Sequence, residues 1–311
     1  MNKKIVLILI LVVVAVPLLI YFAFPDLIVN YGIKKIRSES GLVEKSVNVG
    51  DHRIAYLEGG QGETILMVHG FGGNKDNWTS FAKYITPKYH VLALDLPGFG
   101  ASTFLETAAY GYVDQARRLD LFMAAMGVDK FHIVGNSMGG HISGRYAVMF
   151  PAKVASLGLF DAAGVTSPEP SELGRILAEG GKNPLIVEKP EDFDALMAFA
   201  FVRPPEIPKF VKKVLIQEGL KHRAGNQKIF GEITSQLTAL EPDLGLIQAP
   251  TLVLWGSKDR ILDVSGADVF AGNIKNATKV IMENCGHLPM IERPEEAAGN
   301  YLVFLDKAKA E

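Results

Sequence analysis

The sequence predicts an α/β protein with a mostly parallel central sheet. Continuous apolar runs at residues 64–68, 89–94, 131–134 and 154–160 read as strands buried on both faces. Helix-period segments alternate with them, at 77–85, 112–126 and 141–150. Turns rich in glycine or opened by an acid follow the runs directly: His69-Gly70-Phe71-Gly72-Gly73, Asp95 through Ser102, the stretch around Ser137, and Asp161-Ala162-Ala163-Gly164. Alternation of this kind gives a parallel sheet with right-handed crossovers.

The 311 residues suit one large α/β domain carrying an insertion, or two domains. Hydrophobic residues make up 48% and charged residues 21%, which supports a sizeable core and argues against disorder. A formal net charge of −2 leaves no electrostatic footprint for nucleic acid. Cys285 is the sole cysteine, so no intrachain disulfide can form. No cluster with metal-ligand spacing is present.

Taken in order, the chain opens on Lys3-Lys4 and an uncharged run from Ile5 to Phe24. About 20 apolar residues are enough to cross a bilayer as a helix. Pro17 kinks such a helix without forbidding it. Residues 1–26 are therefore expected to be a single N-terminal membrane anchor. A cleaved signal peptide is the alternative; the run is longer than a usual leader core, and no small-x-small cleavage site follows it. The expected location is a bacterial inner membrane, with the catalytic domain on the periplasmic side if Lys3 and Lys4 hold the N-terminus inside. Lys34, Lys35 and Arg37 oppose them from the other flank. Residues 27–45 read as a juxtamembrane segment: Leu27, Ile28, Tyr31, Ile33 and Ile36 alternate with basic residues. They suit a helix lying on a membrane surface, or equally an ordinary first helix packed on the domain. Residues 46–57 read as two short strands turning at Gly50-Asp51.

The rhythm breaks at Thr166. From 166 to 247 there is no strand-like run, and prolines at 168, 170, 184, 190, 204, 205 and 208 separate helical patterns at 192–202 and 209–220. This is expected to be a helical cap inserted late in the sheet, dividing the core into 46–165 and 248–311. Phe193, Met197 and Phe201 belong to a stretch too apolar for a solvated face, and they are expected to line a greasy substrate site. Helices packing on each other are the alternative. Lys209, Lys212, Lys213, Lys221, Arg223 and Lys228 read as a solvated face, with docking on anionic lipid as a second reading. The sheet resumes at 251–255 and 279–282, and a last helix spans 294–307, with Pro294 suited to its first turn.

The chemistry centres on Gly135-x-Ser137-x-Gly139. A serine on a tight strand-to-helix turn sits in a strained backbone conformation and needs glycines two residues either side. The turn lifts its hydroxyl clear of the sheet, towards N–H groups at a helix start that can stabilise an oxyanion. A plain glycine-rich turn is the bland alternative. Functional groups of an open parallel sheet gather at the carboxyl ends of the strands. Phe71, Ser137, Asp161, Asp259 and His287 all lie just past an expected strand. Serine needs an imidazole to take its proton and a carboxylate to orient that imidazole. By position, Asp259 competes with Asp161 and Asp263 for the acid, and His287 with His69, His132 and His141 for the base.

These motifs together resemble the α/β-hydrolase fold family, over roughly residue 47 to the C-terminus. The resemblance rests on His69-Gly70-Phe71-Gly72, Asp95 through Ser102, Gly135-Asn136-Ser137-Met138-Gly139-Gly140, Gly256 through Asp259, and Gly286-His287. It implies Ser137 as nucleophile, Asp259 as acid and His287 as base, with the N–H groups of Phe71 and Met138 as the oxyanion hole. The anchor, the Asp161-Ala162-Ala163-Gly164-Val165 stretch and the short cap are similar to membrane-associated monoacylglycerol lipases and related bacterial lipases and esterases. The expected function is a serine hydrolase of lipid-like carboxylic esters that needs no cofactor or metal. Its partners would be a lipid or small ester substrate and the membrane. Gly-Asn-Ser-Met-Gly-Gly also resembles the meta-cleavage-product hydrolases, which break carbon–carbon bonds; a non-catalytic ligand-binding protein on the same fold is the third reading.

Overall fold

A chain of ion pairs ties the first helix to the sheet. The computed structural model describes residues 25–235 and 239–309. Helix α1 (Pro25–Glu39) leads into an antiparallel pair, β1 (Leu42–Val49) and β2 (His52–Gly59), turning at Gly50 with φ 59°. Arg37 of α1 donates to both carboxylate oxygens of Asp76, at 2.6 and 2.7 Å, and to Glu44 at 2.6 Å. Lys75, itself buried, bridges Glu44 at 3.1 Å and the fully buried Asp95 at 2.9 Å. This chain of charges staples α1 to the loop after β3, while Leu27, Tyr31 and Ile36 on the helix stay exposed.

The expected anchor at 1–26 lies outside the described residues except for its last two, which open α1. Among the described residues no helix is long and apolar enough to cross a membrane. Strand β1 begins at Leu42, so residues 42–45 are part of the sheet rather than of a juxtamembrane segment. Each residue from Leu42 to Val49 pairs with one of β2. As an edge strand it turns Val43, Glu44 and Lys45 to solvent, which erases the apolar run that marks a central strand.

Strand β3 (Thr64–Val68) follows, then α2 (Thr79–Ile85) after a short 3₁₀ turn, β4 (His90–Leu94), α3 (Tyr112–Ala125), β5 (Phe131–Asn136), α4 (Met138–Met149) and β6 (Val154–Phe160). Among the described residues, four α-helices stand between β6 and the next strand, α5 (Glu172–Ala178), α6 (Pro190–Ala200), α7 (Lys209–Lys221) and α8 (Arg223–Ser235), followed by a 3₁₀ turn at Glu241–Leu246. Then come β7 (Thr251–Gly256), α9 (Gly266–Asn273), β8 (Ala277–Met282), the short α10 (Pro289–Glu292) and α11 (Pro294–Ala308). The sheet runs in the order β1-β2-β4-β3-β5-β6-β7-β8, antiparallel as far as β4 and parallel beyond.

The period of two along the strands builds two cores. Leu66, Val68, Leu92, Leu94, Ile133, Leu157 and Val253 join one, under α3, α4 and α9. Ile65, Met67, Val91, Ala93, Val134, Leu252 and Leu254 join the other, under α2 and α11. The chain leaves β3 for β4 on one side and comes back to β5 on the other. The carboxyl ends of β3 and β5 therefore flank a topological switch point, where open α/β sheets bind ligands.

The basic stretch read as a solvated face is partly neutralised. Lys212 pairs with Asp194 of α6, Lys228 with Glu232, and Arg223 with Glu188 at 3.8 Å.

Candidate active site

Ser137 joins β5 to α4 with φ 56° and ψ −121°, a backbone state rarely taken by a residue with a side chain. The turn is held from three sides. The Ser137 N–H donates to the Phe160 carbonyl at 3.0 Å, and the Ser137 carbonyl accepts from His141 and Ala163. Two glycines make the turn possible by close approach. A Cβ on Gly135 would stand 2.2 Å from the Gly139 carbonyl oxygen, and one on Gly139 would stand 2.4 Å from the carbonyl oxygens of both Val68 and His69. These neighbours are backbone and cannot swing away. Gly139→Ala is accordingly expected to cost about 1–3 kcal/mol or more, read as a lower urea midpoint, and to displace the turn after β3. An unchanged midpoint would mean that this turn yields freely.

That turn packs directly on the serine: a Cβ on Gly70 would meet the Ser137 Cβ at 3.1 Å. His69 fixes it. Its Nδ1–H donates to the Gly70 carbonyl at 2.7 Å, and its Nε2 accepts the Leu96 N–H at 3.0 Å. Burial pushes the His69 pKa down, in keeping with a neutral ring using both nitrogens structurally. Phe71 follows Gly70 on the same turn, and Met138 is the first residue of α4, next to Ser137 in the chain. The N-terminus of α4 adds the positive end of its dipole.

His287 and Asp259 come from the loops after β8 and β7. The Asp259 carboxylate can only accept, so the 2.7 Å contact between its Oδ2 and His287 Nδ1 puts the imidazole proton on Nδ1 and the lone pair on Nε2. Asp259 Oδ1 accepts the N–H groups of Ile261 at 2.8 Å and Leu262 at 3.1 Å. Asn136, next to the serine, donates from Nδ2 to the carbonyls of His287 at 3.0 Å and Phe160 at 3.1 Å. It clamps the His287 loop to the β5 end. The competing residues are engaged elsewhere: Asp263 caps the Ser265 N–H, His132 bonds Ser156, and His141 stacks on Tyr112. Asp161 is the exception, because it sits beside the pair. Donor atoms of Asp161, Asp259 and His287 lie within 4.8 Å of one another.

A model of the alpha/beta hydrolase fold family matches residues 63–184 and 197–294. The chain belongs to this family. Lipase 1 of Psychrobacter immobilis is 38% identical over 86% of this hydrolase and 86% of the lipase. Rat monoacylglycerol lipase ABHD6 is 30% identical over 94% and 91%. The crystal structure of a membrane phospholipase A, a bacterial virulence factor, superposes with a TM-score of 0.92 at 45% identity, covering 100% of both chains. A hydrolase of 2-hydroxy-6-oxo-6-phenylhexa-2,4-dienoate from Rhodococcus, at 23% identity, shares the fold.

Two apolar clusters of the hydrolase lie near these site residues. Met197 and Phe201 join Leu173, Phe199, Ile261 and Leu288, the last two of which stand close to Asp259 and His287 in the chain. Phe193, half-buried on α6, falls outside this group. In the second cluster the Phe71 ring meets Phe99 and Phe230 edge-on, with centroids 5.9 and 5.3 Å away. Phe230 is not marked out by the sequence, because it lies just past the basic face that ends at Lys228 and has no apolar run around it. Residues of the segment between β6 and β7 also hold the His287 loop. The His287 N–H donates to the Ala200 carbonyl at 2.9 Å, and Glu292 accepts the N–H groups of Gly286 and Arg203, both at 3.0 Å. Cys285 is buried beneath this loop, and burial with the nearby Asp161 and Glu292 carboxyls pushes its thiol pKa up.

Proposed function

We propose that this α/β-hydrolase is a serine esterase that cleaves carboxylic esters of lipid-like substrates, monoacylglycerols among them, through an acyl-enzyme. Ser137 Oγ attacks the ester carbonyl while His287 Nε2 takes its proton. Asp259 stabilises the imidazolium, and the N–H groups of Phe71 and Met138 receive the oxyanion. His287 then protonates the leaving alcohol, and water releases the acyl group by the same steps in reverse. The observation that supports this reading most is the 2.7 Å bond between His287 and Asp259, which leaves a lone pair on Nε2 at the edge of the sheet that carries the strained serine. The two apolar clusters suit an acyl chain. The lipases and the phospholipase among the relatives support an ester substrate over a carbon–carbon bond.

The test is fluorophosphonate labelling of the wild-type protein, then a panel of monoacylglycerols and lysophospholipids of graded acyl length beside an aromatic dienone acid. Labelling and preference for long acyl esters are expected. Faster turnover of the dienone acid would put carbon–carbon hydrolysis in first place, and a folded protein that resists labelling would favour ligand binding without catalysis.

In the same reading residues 1–26 anchor the enzyme in the inner membrane, with the catalytic domain on the side away from Lys3 and Lys4, and residues 166–247 cap the site. Leu27, Tyr31 and Ile36, exposed on α1, support contact with lipid. Deleting residues 1–26 is expected to move the protein from the membrane fraction to the soluble one with ester hydrolysis retained. Unchanged fractionation would assign membrane binding to another surface.

A further inference from the structure

Two carboxyl groups meet at His287, and the chemistry proposed above uses one of them. Asp161 follows the last residue of β6, with φ 45°. Its N–H donates to the Leu254 carbonyl at 2.9 Å, and its Oδ1 accepts the Gly256 N–H at 2.8 Å. Oδ2 is buried, and no N–H or hydroxyl among the described residues reaches it. Its carboxyl nevertheless lies beside that of Asp259, with an oxygen of each within 4.8 Å of the other. Asp259 holds three donors, from His287 Nδ1, Ile261 and Leu262, whereas Asp161 holds one. Two carboxylates this close in a dry site cannot both ionise at neutral pH, and a shared proton goes to the one that hydrogen bonds stabilise less as an anion.

We propose that Asp161 is a positioning residue that keeps its proton and donates a hydrogen bond from Oδ2 to the Asp259 carboxylate. The orphaned oxygen becomes a donor, and its acceptor is the Asp259 carboxylate beside it. The surroundings agree. Burial, first, and the Asp259 charge, second, push the Asp161 pKa well up; Glu292 adds to this, and the Gly256 N–H alone works against it. The Cys285 thiol, pushed up by the same burial, contributes no charge. The same three side chains could be read as a cation site, but an ion there would have to displace the proton that His287 Nδ1 gives to Asp259. With Asp161 as a fourth donor, Asp259 is held in one orientation. Part of its negative charge is drawn away from the imidazole.

The inference rests on Asp259 and His287 being the acid and base, and its test separates the two. Asp161→Asn keeps an oxygen for the Gly256 N–H and an N–H₂ for Asp259, so near wild-type kcat is expected. Asp161→Ala removes the donor and should lower kcat about 10- to 100-fold, the span a charge-assisted hydrogen bond is worth. It should also move the acid limb of the kcat–pH profile to higher pH, because an Asp259 relieved of its donor favours the protonated imidazole more. Asp161→Asn leaves the limb in place; a merely structural gap would not move it either. Infrared difference spectra of wild type against Asp161→Asn at neutral pH should show the carbonyl band of an un-ionised carboxylic acid. That readout does not depend on turnover, so an inactive wild type showing the band would overturn the esterase reading and leave the protonated Asp161 standing. Absence of the band, or loss of activity in Asp161→Asn as deep as in Asp161→Ala, would overturn the proposal, even if Asp161→Ala fails to fold.

Discussion

Ser137→Ala is expected to lower ester turnover by about 10⁶-fold, the loss that follows removal of an activated serine in other triads. The oxyanion donors and the apolar clusters survive the change, so a residual rate above that of water is expected with them. Stability should hardly move. Alanine keeps a Cβ and inherits the positive φ, so the strain at the turn stays in the folded state. The Ser137 backbone bonds to Phe160, His141 and Ala163 do not involve the hydroxyl. The measurement is kcat on a monoacylglycerol beside a thermal melt of both proteins. Turnover that persists in a folded Ser137→Ala variant would end the serine mechanism.

Asp259→Asn is expected to lower kcat by about 10⁴-fold while leaving the fold intact. An asparagine oxygen can still accept the Ile261 and Leu262 N–H groups, and its amide nitrogen then faces His287 Nδ1 as a donor. The imidazole must answer with a lone pair on Nδ1 and its proton on Nε2. In that tautomer it cannot take the serine proton. The deficit should be far larger than that of Asp161→Asn at every pH. A ranking in the opposite order would move the acid to the end of β6.

Much of this site is legible in the chain because each element that carries it ends abruptly. The runs that become β3, β5 and β7 are continuous and apolar, and Phe71, Ser137 and Asp259 stand within three residues of their ends. The serine turn announces itself through Gly135 and Gly139, whose missing side chains are a local steric requirement. What stayed hidden depends on contacts distant in sequence. Asn136 lies inside the serine motif, yet its partner is a carbonyl 151 positions away. Phe230 stands alone between Ile229 and Gly231 with no aromatic neighbour in the chain, and only the packing of α8 on the turn after β3 gives it an aromatic partner. Strand β1 was read short because an edge strand shows its charges to water. Helices α5, α8 and α9 lack a long apolar stripe and are held by their neighbours.

The buried Cys285 has a practical consequence. The chain holds no other cysteine, and this thiol is both enclosed and held in its unreactive, protonated form. A single cysteine placed on the surface would therefore be the one address for a maleimide dye or spin label, with the native residue left in place. The height of α1 above a bilayer, or the spacing between α7 and the β1 edge, becomes measurable by fluorescence or electron resonance on an otherwise natural protein.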